Sequence, residues 1–363
     1  MSRTNVSGRT AEGTARAHRD ARHKAPAHPA MLSSGRDHFG LARSMRFLLL
    51  MLFSACATAM PAPDPSGVEA RIAAREQREH GITPGAERRV RWFSGAPSRS
   101  RISLVYLHGY SATRQEVHPL PEMVADALGA NLYETRLTGH GRGGAAMLEG
   151  NVAAWYEDAR EALDIGRSIG ERVVVLSTST GGTLSVWLAH RAQSGELAAL
   201  AMISPNFAPA DKALYLLDTP LVGRALLAWF GQDERSWEPM NDAQSRYWSW
   251  HYPWQALVEL ARLVKEVEGI DKHSIHTPAL MLYSPRDQVI DPEAVRSAFD
   301  AWGTPRKRLV AYERSTDPSQ HVLAGDIVSP GSTREVADII SRFLRETALS
   351  EVPPQSASTG KSM

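Results

Sequence analysis

The chain has 363 residues, 43% of them hydrophobic and 22% charged, with 41 Lys+Arg against 40 Asp+Glu for a formal charge of +1. That length and apolar fraction suffice for a sizeable core, and the near-neutral balance argues against a general nucleic-acid or other polyanion binder. The single cysteine, Cys56, excludes an intramolecular disulfide framework and any Cys-rich zinc or iron–sulfur site.

Residues 1–44 are rich in Arg, Ala, Ser, Thr and His and lack a sustained apolar period. Such a segment cannot bury enough surface to offset its chain entropy, so it is expected to be a disordered basic extension or a mis-assigned start, with Met45 the true one. Met45-Arg46 leads into an apolar run from Phe47 to Phe53, which ends in Ser54-Ala55-Cys56. A basic residue, a short apolar stretch and small residues outline a secretory signal over 45–60. The apolar stretch 47–60 is only 14 residues long, too short to cross a bilayer comfortably.

Its end resembles the lipobox of bacterial lipoprotein signals, although Phe53 stands where leucine is usual. The resemblance implies that Cys56 is lipidated, becomes the new N-terminus and anchors the protein to a membrane of the cell envelope. Ordinary signal cleavage at 55–57 or 57–59, giving a periplasmic or secreted protein, is the alternative; a buried N-terminal segment is the bland one. Pro61, Pro63 and Pro65 then stiffen a tether within 61–87, which also holds a first helix. Residues 1–55 carry nine Lys+Arg and three Asp+Glu, so a chain starting at Cys56 has a formal charge near −5.

From residue 88 onward, β-rich runs alternate with amphipathic stretches. Strands are expected over 89–93, 102–107, 131–136, 172–177, 200–204, 279–283 and 307–312, and helices over 121–128, 152–169, 183–192, 292–301 and 334–345. Near-continuous apolar runs such as Val173-Val174-Val175-Leu176 suit strands buried on both faces of a parallel sheet, joined by right-handed crossovers. The core is expected to span 88–204 and 276–346. Residues 205–275 interrupt the alternation with helical, aromatic sequence, including Trp229, Trp237, Trp248, Trp250 and Trp254. They are expected to form a helical cap over the carboxyl ends of the strands, most aromatics packing it down and one or two lining an acyl pocket. The tail 347–363 is expected to be disordered.

Ser177-Thr178-Ser179-Thr180-Gly181 lies between a buried strand and a helix. Strand, sharp turn and helix with serine at the turn form the nucleophile elbow G-x-S-x-G, here with Ser177 in place of the first glycine. Ser177 could itself attack, but a strand end presents it poorly. A serine nucleophile needs a base and an acid that orients it, in the chain order Ser, Asp, His for this arrangement. Asp287 follows the strand 279–283 and His321 lies on the loop after 307–312, so Ser179, Asp287 and His321 satisfy that order. Asp291, before Pro292, fits a helix cap better, and Asp317 neighbours His321 by sequence only. The oxyanion requires two backbone donors: Thr180, after the nucleophile, and Tyr110, in the His108-Gly109-Tyr110 loop after the first central strand. His108 itself is expected to be a structural hydrogen-bonder.

Together, Leu107-His108-Gly109-Tyr110, Leu137-Thr138-Gly139-His140-Gly141, the elbow, Asp287 and His321 resemble the α/β-hydrolase superfamily over roughly residues 88–346. Within it, the Leu-x-Gly-His-Gly segment followed by a helix with Trp155 and Asp158 is similar to the monoacylglycerol lipase/lysophospholipase-like carboxylesterases. The resemblance implies an α/β-hydrolase fold, a mostly parallel doubly wound sheet with an inserted helical cap. It also implies a serine esterase acting on acyl or lipid-like esters, with no cofactor and no metal. The rival expectations are a non-catalytic envelope lipoprotein that uses the scaffold for binding, and a peptidase or thioesterase of the same fold. Oligomeric state is open at this point.

Overall fold

Val173 and Val175 point to one face of the sheet, Val174 and Leu176 to the other, and all four are buried. The computed structural model describes residues 64–230 and 234–349, and this alternation runs through its central strands. These are β1 (Arg89–Arg91), β2 (Ser100–Leu107), β3 (Asn131–Glu134), β4 (Gly170–Thr178) and β5 (Leu197–Ile203), followed after the insertion by β8 (Ala279–Tyr283) and β9 (Lys307–Ala311). The sheet order is β1-β3-β2-β4-β5-β8-β9, with β1 antiparallel to β3 and the other neighbours parallel. Successive side chains point to opposite faces of a strand, so one covered on both faces must be apolar at nearly every position.

Helices cover both faces. On one, α3 (Val152–Ile169), α4 (Thr180–Arg191) and α8 (Pro292–Ala301) bury Trp155, Leu163, Leu184 and Val295 against Val105, Val173 and Val175. On the other, α2 (Leu120–Leu128) and α9 (Thr333–Leu344) bury Val124, Leu128, Ile340 and Phe343 against Leu104, Val174 and Leu280. Local chemistry sets several ends. The Asn151 side chain caps α3 by accepting from Ala154 N–H (3.0 Å), and α2 stops at Gly129, whose φ of 62° is left-handed. Asp291 caps α8 through Glu293 N–H (2.9 Å), with Pro292 in the first turn, as the dipeptide suggests.

The insertion between β5 and β8 holds α5 (Pro220–Phe230), a hairpin of β6 (Glu234–Ser236) and β7 (His251–Pro253), α6 (Asp242–Tyr247) between them, and α7 (Ala256–Glu268). One stripe of α7, Leu257, Leu260 and Val264, packs with Met147, Leu217 and Tyr252, while Leu263 and Val267 reach the main core. Trp229, expected to pack the cap or line a pocket, does neither and is 84% exposed. Of the stretch 347–363 expected to be disordered, residues 347–349 are described and are helical, and the rest lies outside the described residues. Residues 345–349 continue α9 as a helical turn, Ala348 is fully buried, and its carbonyl accepts from Arg172. Earlier in the chain, α1 (Val68–Glu76) falls within the stretch expected to hold a first helix.

The chain runs from β2 to β3 on one side and from β4 to β5 on the other. The crevice between β2 and β4 is therefore the switch point where ligands bind in open α/β sheets. In register, Leu107 lies opposite Ser177, so both strands end there together and release His108–Tyr110 and Ser179 side by side.

Candidate active site

Ser179 has φ 50° and ψ −115°, a backbone state that costs about 1–3 kcal/mol and persists only when its surroundings impose it. They do. Its N–H donates to Ile203 O (3.0 Å), and its carbonyl accepts from Gly182 (2.8 Å), Thr183 (3.3 Å) and Asn206 (3.0 Å). A Cβ on Gly181 would lie 2.1 Å from Leu107 O, so only glycine allows α4 to start this close to the end of β2. Ser177 substitutes for the usual glycine because its buried hydroxyl is absorbed, accepting from Ser185 Oγ at 2.9 Å. That pairing ties the end of β4 to α4 and leaves Ser179 at the apex of the turn.

His321 and Asp287 meet directly, with Nδ1 2.8 Å from Asp287 Oδ2. The other carboxylate oxygen, Oδ1, accepts from Val289 N–H (2.8 Å) and Ile290 N–H (3.0 Å). Two backbone donors thus hold the carboxylate so that Oδ2 faces the imidazole. With Nδ1–H donated to Asp287, Nε2 is left free to accept a proton. Burial alone would depress the His321 pKa, but the Asp287 charge and hydrogen bond, followed by Glu116 and Asp317, outweigh it and raise the pKa above the usual histidine value.

The structure corrects the reading of Asp317 as a neighbour in sequence only. Its Oδ2 accepts from the backbone N–H of His321 (3.0 Å) and Val322 (2.7 Å) and from Ser319 Oγ (2.7 Å), so it shapes the loop that presents the imidazole. From the opposite side, Ser204 Oγ donates to His321 O at 2.7 Å. Among the described residues, the non-glycine positions with positive φ are Ser111, Ser179, Ser204 and Gln320. One is Ser179, two adjoin Tyr110 and His321, and the fourth bonds His321. Among the described residues, non-glycine backbone strain is therefore concentrated around the site.

The His108-Gly109-Tyr110 loop leaves β2 beside Ser179, and a Cβ on Gly109 would come within 3.2 Å of Ser179 Cβ. His108 is structural, as expected: Nε2 accepts from Leu137 N–H (3.0 Å) and Nδ1 donates to Gly109 O (2.8 Å), and burial holds its pKa well below normal. The Tyr110 ring lies edge-on to His140, Trp155 and Tyr252. Two side chains of α3 fix the neighbouring 137–141 loop by clamping one residue. Asp158 Oδ2 accepts from Thr138 N–H (2.6 Å), and Trp155 Nε1 donates to Thr138 O (3.0 Å). Burial also keeps His140 neutral, its pKa lowered to about 4. Among the described residues, no group of three or more His, Cys, Asp or Glu side chains is arranged to hold a metal ion.

A family model described as serine aminopeptidase, S33, matches residues 98–316. The thermostable monoacylglycerol lipase of Bacillus sp. (strain H-257) is 24% identical over 234 residues, which cover 63% of this chain and 86% of that protein. Among solved structures, one from the metagenome-derived lipolytic enzymes LipS and LipT superposes with a TM-score of 0.61 at 22% identity, covering 73% of this chain and 99% of the other. The monoacylglycerol lipase of Paleococcus ferrophilus gives a TM-score of 0.53 at 16% identity, covering 71% and 98%. These likenesses agree with the fold described above.

Proposed function

Since the chain belongs to the serine aminopeptidase S33 family and has the α/β-hydrolase fold, we propose that it hydrolyses carboxylic esters of acyl or lipid-like type through Ser179, His321 and Asp287. The observation that carries this reading is the His321–Asp287 pair, 2.8 Å apart, tied by Ser204 Oγ at His321 O to the end of β5, where Ile203 O accepts from the strained Ser179. His321 Nε2 takes the Ser179 proton as Oγ bonds to the carbonyl carbon. The oxyanion that forms is held by the Tyr110 and Thr180 N–H groups. On collapse, the carbon–oxygen bond to the alcohol breaks and His321 returns the proton to that leaving group. Water, deprotonated by the same nitrogen, then attacks the acyl-serine; the bond from the acyl carbon to Ser179 Oγ breaks, His321 returns the proton to Oγ and the acid is released.

Support for an ester as the substrate comes from the likeness to a monoacylglycerol lipase, and the family's description keeps peptide hydrolysis as the competing reading. A series of p-nitrophenyl esters of increasing chain length, run beside aminoacyl p-nitroanilides, separates them. Ester turnover that is lost in Ser179→Ala is expected; anilide turnover without ester turnover would reverse the assignment.

The proposal extends to location. The signal-like segment 45–60 and Cys56 lie outside the described residues, and among those described no helix is long and apolar enough to cross a membrane. The lipobox-like Ser54-Ala55-Cys56 supports lipid anchoring at the bacterial cell envelope. Expressed as the full chain, Cys56→Ser is expected to shift the protein from the membrane pellet to the soluble fraction. If the variant stays in the pellet, Cys56 is not the anchor.

A further inference from the structure

Glu116 sits in a short turn (114–117) just after the oxyanion loop and is only 2% exposed. One oxygen, Oε2, accepts from Gly109 N–H (2.8 Å) and from the Tyr106 hydroxyl (3.0 Å), and that hydroxyl lies 3.1 Å from Thr178 Oγ1, one residue before Ser179. The other oxygen explains Gly109, where a Cβ would fall 2.6 Å from Oε1. The segment after His321 rests on the same turn: a Cβ on Gly325 would lie 2.7 Å from Glu116 O, and Asp326 N–H donates to His118 O at 2.8 Å. One buried carboxylate therefore touches the oxyanion loop and the residue network below Ser179, while its own backbone supports the histidine loop. The reaction described above uses it in no step, and burying a charge is costly unless its environment makes use of it.

We propose that Glu116 is a positioning residue for this reaction: it pins the His108–Gly109 peptide, one peptide before the Tyr110 N–H assigned to the oxyanion, and adds its negative charge to those of Asp287 and Asp317 opposite the protonated His321. The proposal rests on the Ser179–His321–Asp287 reading. The groups that face His321 are Asp287 from the loop after β8, Asp317 from its own loop and Glu116 from the turn after β2. Those that face Glu116 are Gly109 N–H, Tyr106 from β2 and His321. Burial leaves the Glu116 pKa above the usual carboxylate value, with Gly109 N–H, the His321 charge and the Tyr106 hydroxyl offsetting part of the rise. When Ser179 surrenders its proton, the imidazolium gains from all three carboxylates, and weak screening in a buried site strengthens those not bonded to the ring.

Glu116→Gln tests this because the amide oxygen can still accept from Gly109 and Tyr106 while the charge is gone. Glu116 raises the His321 pKa, so its neutralisation lowers that pKa, and the base stays deprotonated to lower pH. The acidic limb of kcat/KM is expected to move down by roughly half a pH unit or more, and kcat to fall about three- to tenfold at nearly constant KM. Glu116→Asp keeps the charge but shortens the reach to Gly109, so it should lower kcat with the limb held near its wild-type position. An unshifted limb and wild-type kcat in Glu116→Gln overturn the proposal. So does wild-type kcat in Glu116→Asp, which remains decisive if the glutamine variant does not fold. Ser179→Ala in the same assay separates the two layers: residual activity there removes the parent reading, whereas an inactive alanine variant beside an unaltered Glu116→Gln removes only the role of Glu116.

Discussion

Ser179→Ala is expected to lower ester hydrolysis about 10³-fold or more, because it deletes the hydroxyl proposed to form the acyl intermediate. The fold should survive. The strained backbone at this position is held by main-chain bonds to Ile203, Gly182 and Asn206, and the serine side chain caps no N–H of α4. Stability within about 1 kcal/mol of wild type is therefore expected, read as the thermal midpoint. The buried Ser177 hydroxyl is paired with Ser185 and offers no substitute nucleophile. Loss of activity with an unchanged melting midpoint would separate chemistry from folding.

A loss of about 10³–10⁴-fold in kcat/KM is expected for Asp287→Asn, for a reason specific to this geometry. Oδ1 is committed to the N–H groups of Val289 and Ile290, both donors, so an asparagine must keep its oxygen there. Its NH₂ group then faces His321 Nδ1, where Asp287 Oδ2 now lies. An amide donor cannot accept from Nδ1–H, so the imidazole moves its proton to Nε2, the nitrogen that must take the proton of Ser179. The effect is a wrong tautomer in an intact site. A kcat/KM close to wild type in a folded Asp287→Asn variant would mean that another group orients His321.

Much of the fold is legible in the sequence because burial on two faces leaves a direct imprint: four consecutive apolar residues at Val173–Leu176 can only be a fully covered strand or part of a buried helix, and their β-branching selects the strand. The cap at Asp291-Pro292 reads correctly for an equally local reason. Helix α4, by contrast, starts at Thr180 and not at 183, because the elbow turns directly into the helix with no intervening loop. What escapes the sequence depends on tertiary context. Asp317 looks like a turn residue, and only the folded loop aims its carboxylate at the His321 N–H. Ser204 and Gln320 adopt positive φ without being glycine, so composition gives no sign of their strain. Glu116 lies in a polar stretch that reads as surface, yet the structure buries it beneath Gly109. A D-x-S-x-H spacing at Asp317, Ser319 and His321 is the one sequence signal that points toward the loop's construction.

The central claim, that Ser179 is an activated nucleophile, is tested most directly by a fluorophosphonate probe, followed by peptide mapping of the intact chain. One adduct per chain on the peptide that contains Ser179, localised to that residue and absent in Ser179→Ala, is the predicted result. A folded protein that takes up no probe, or takes it up on Ser177 or elsewhere, would contradict the account.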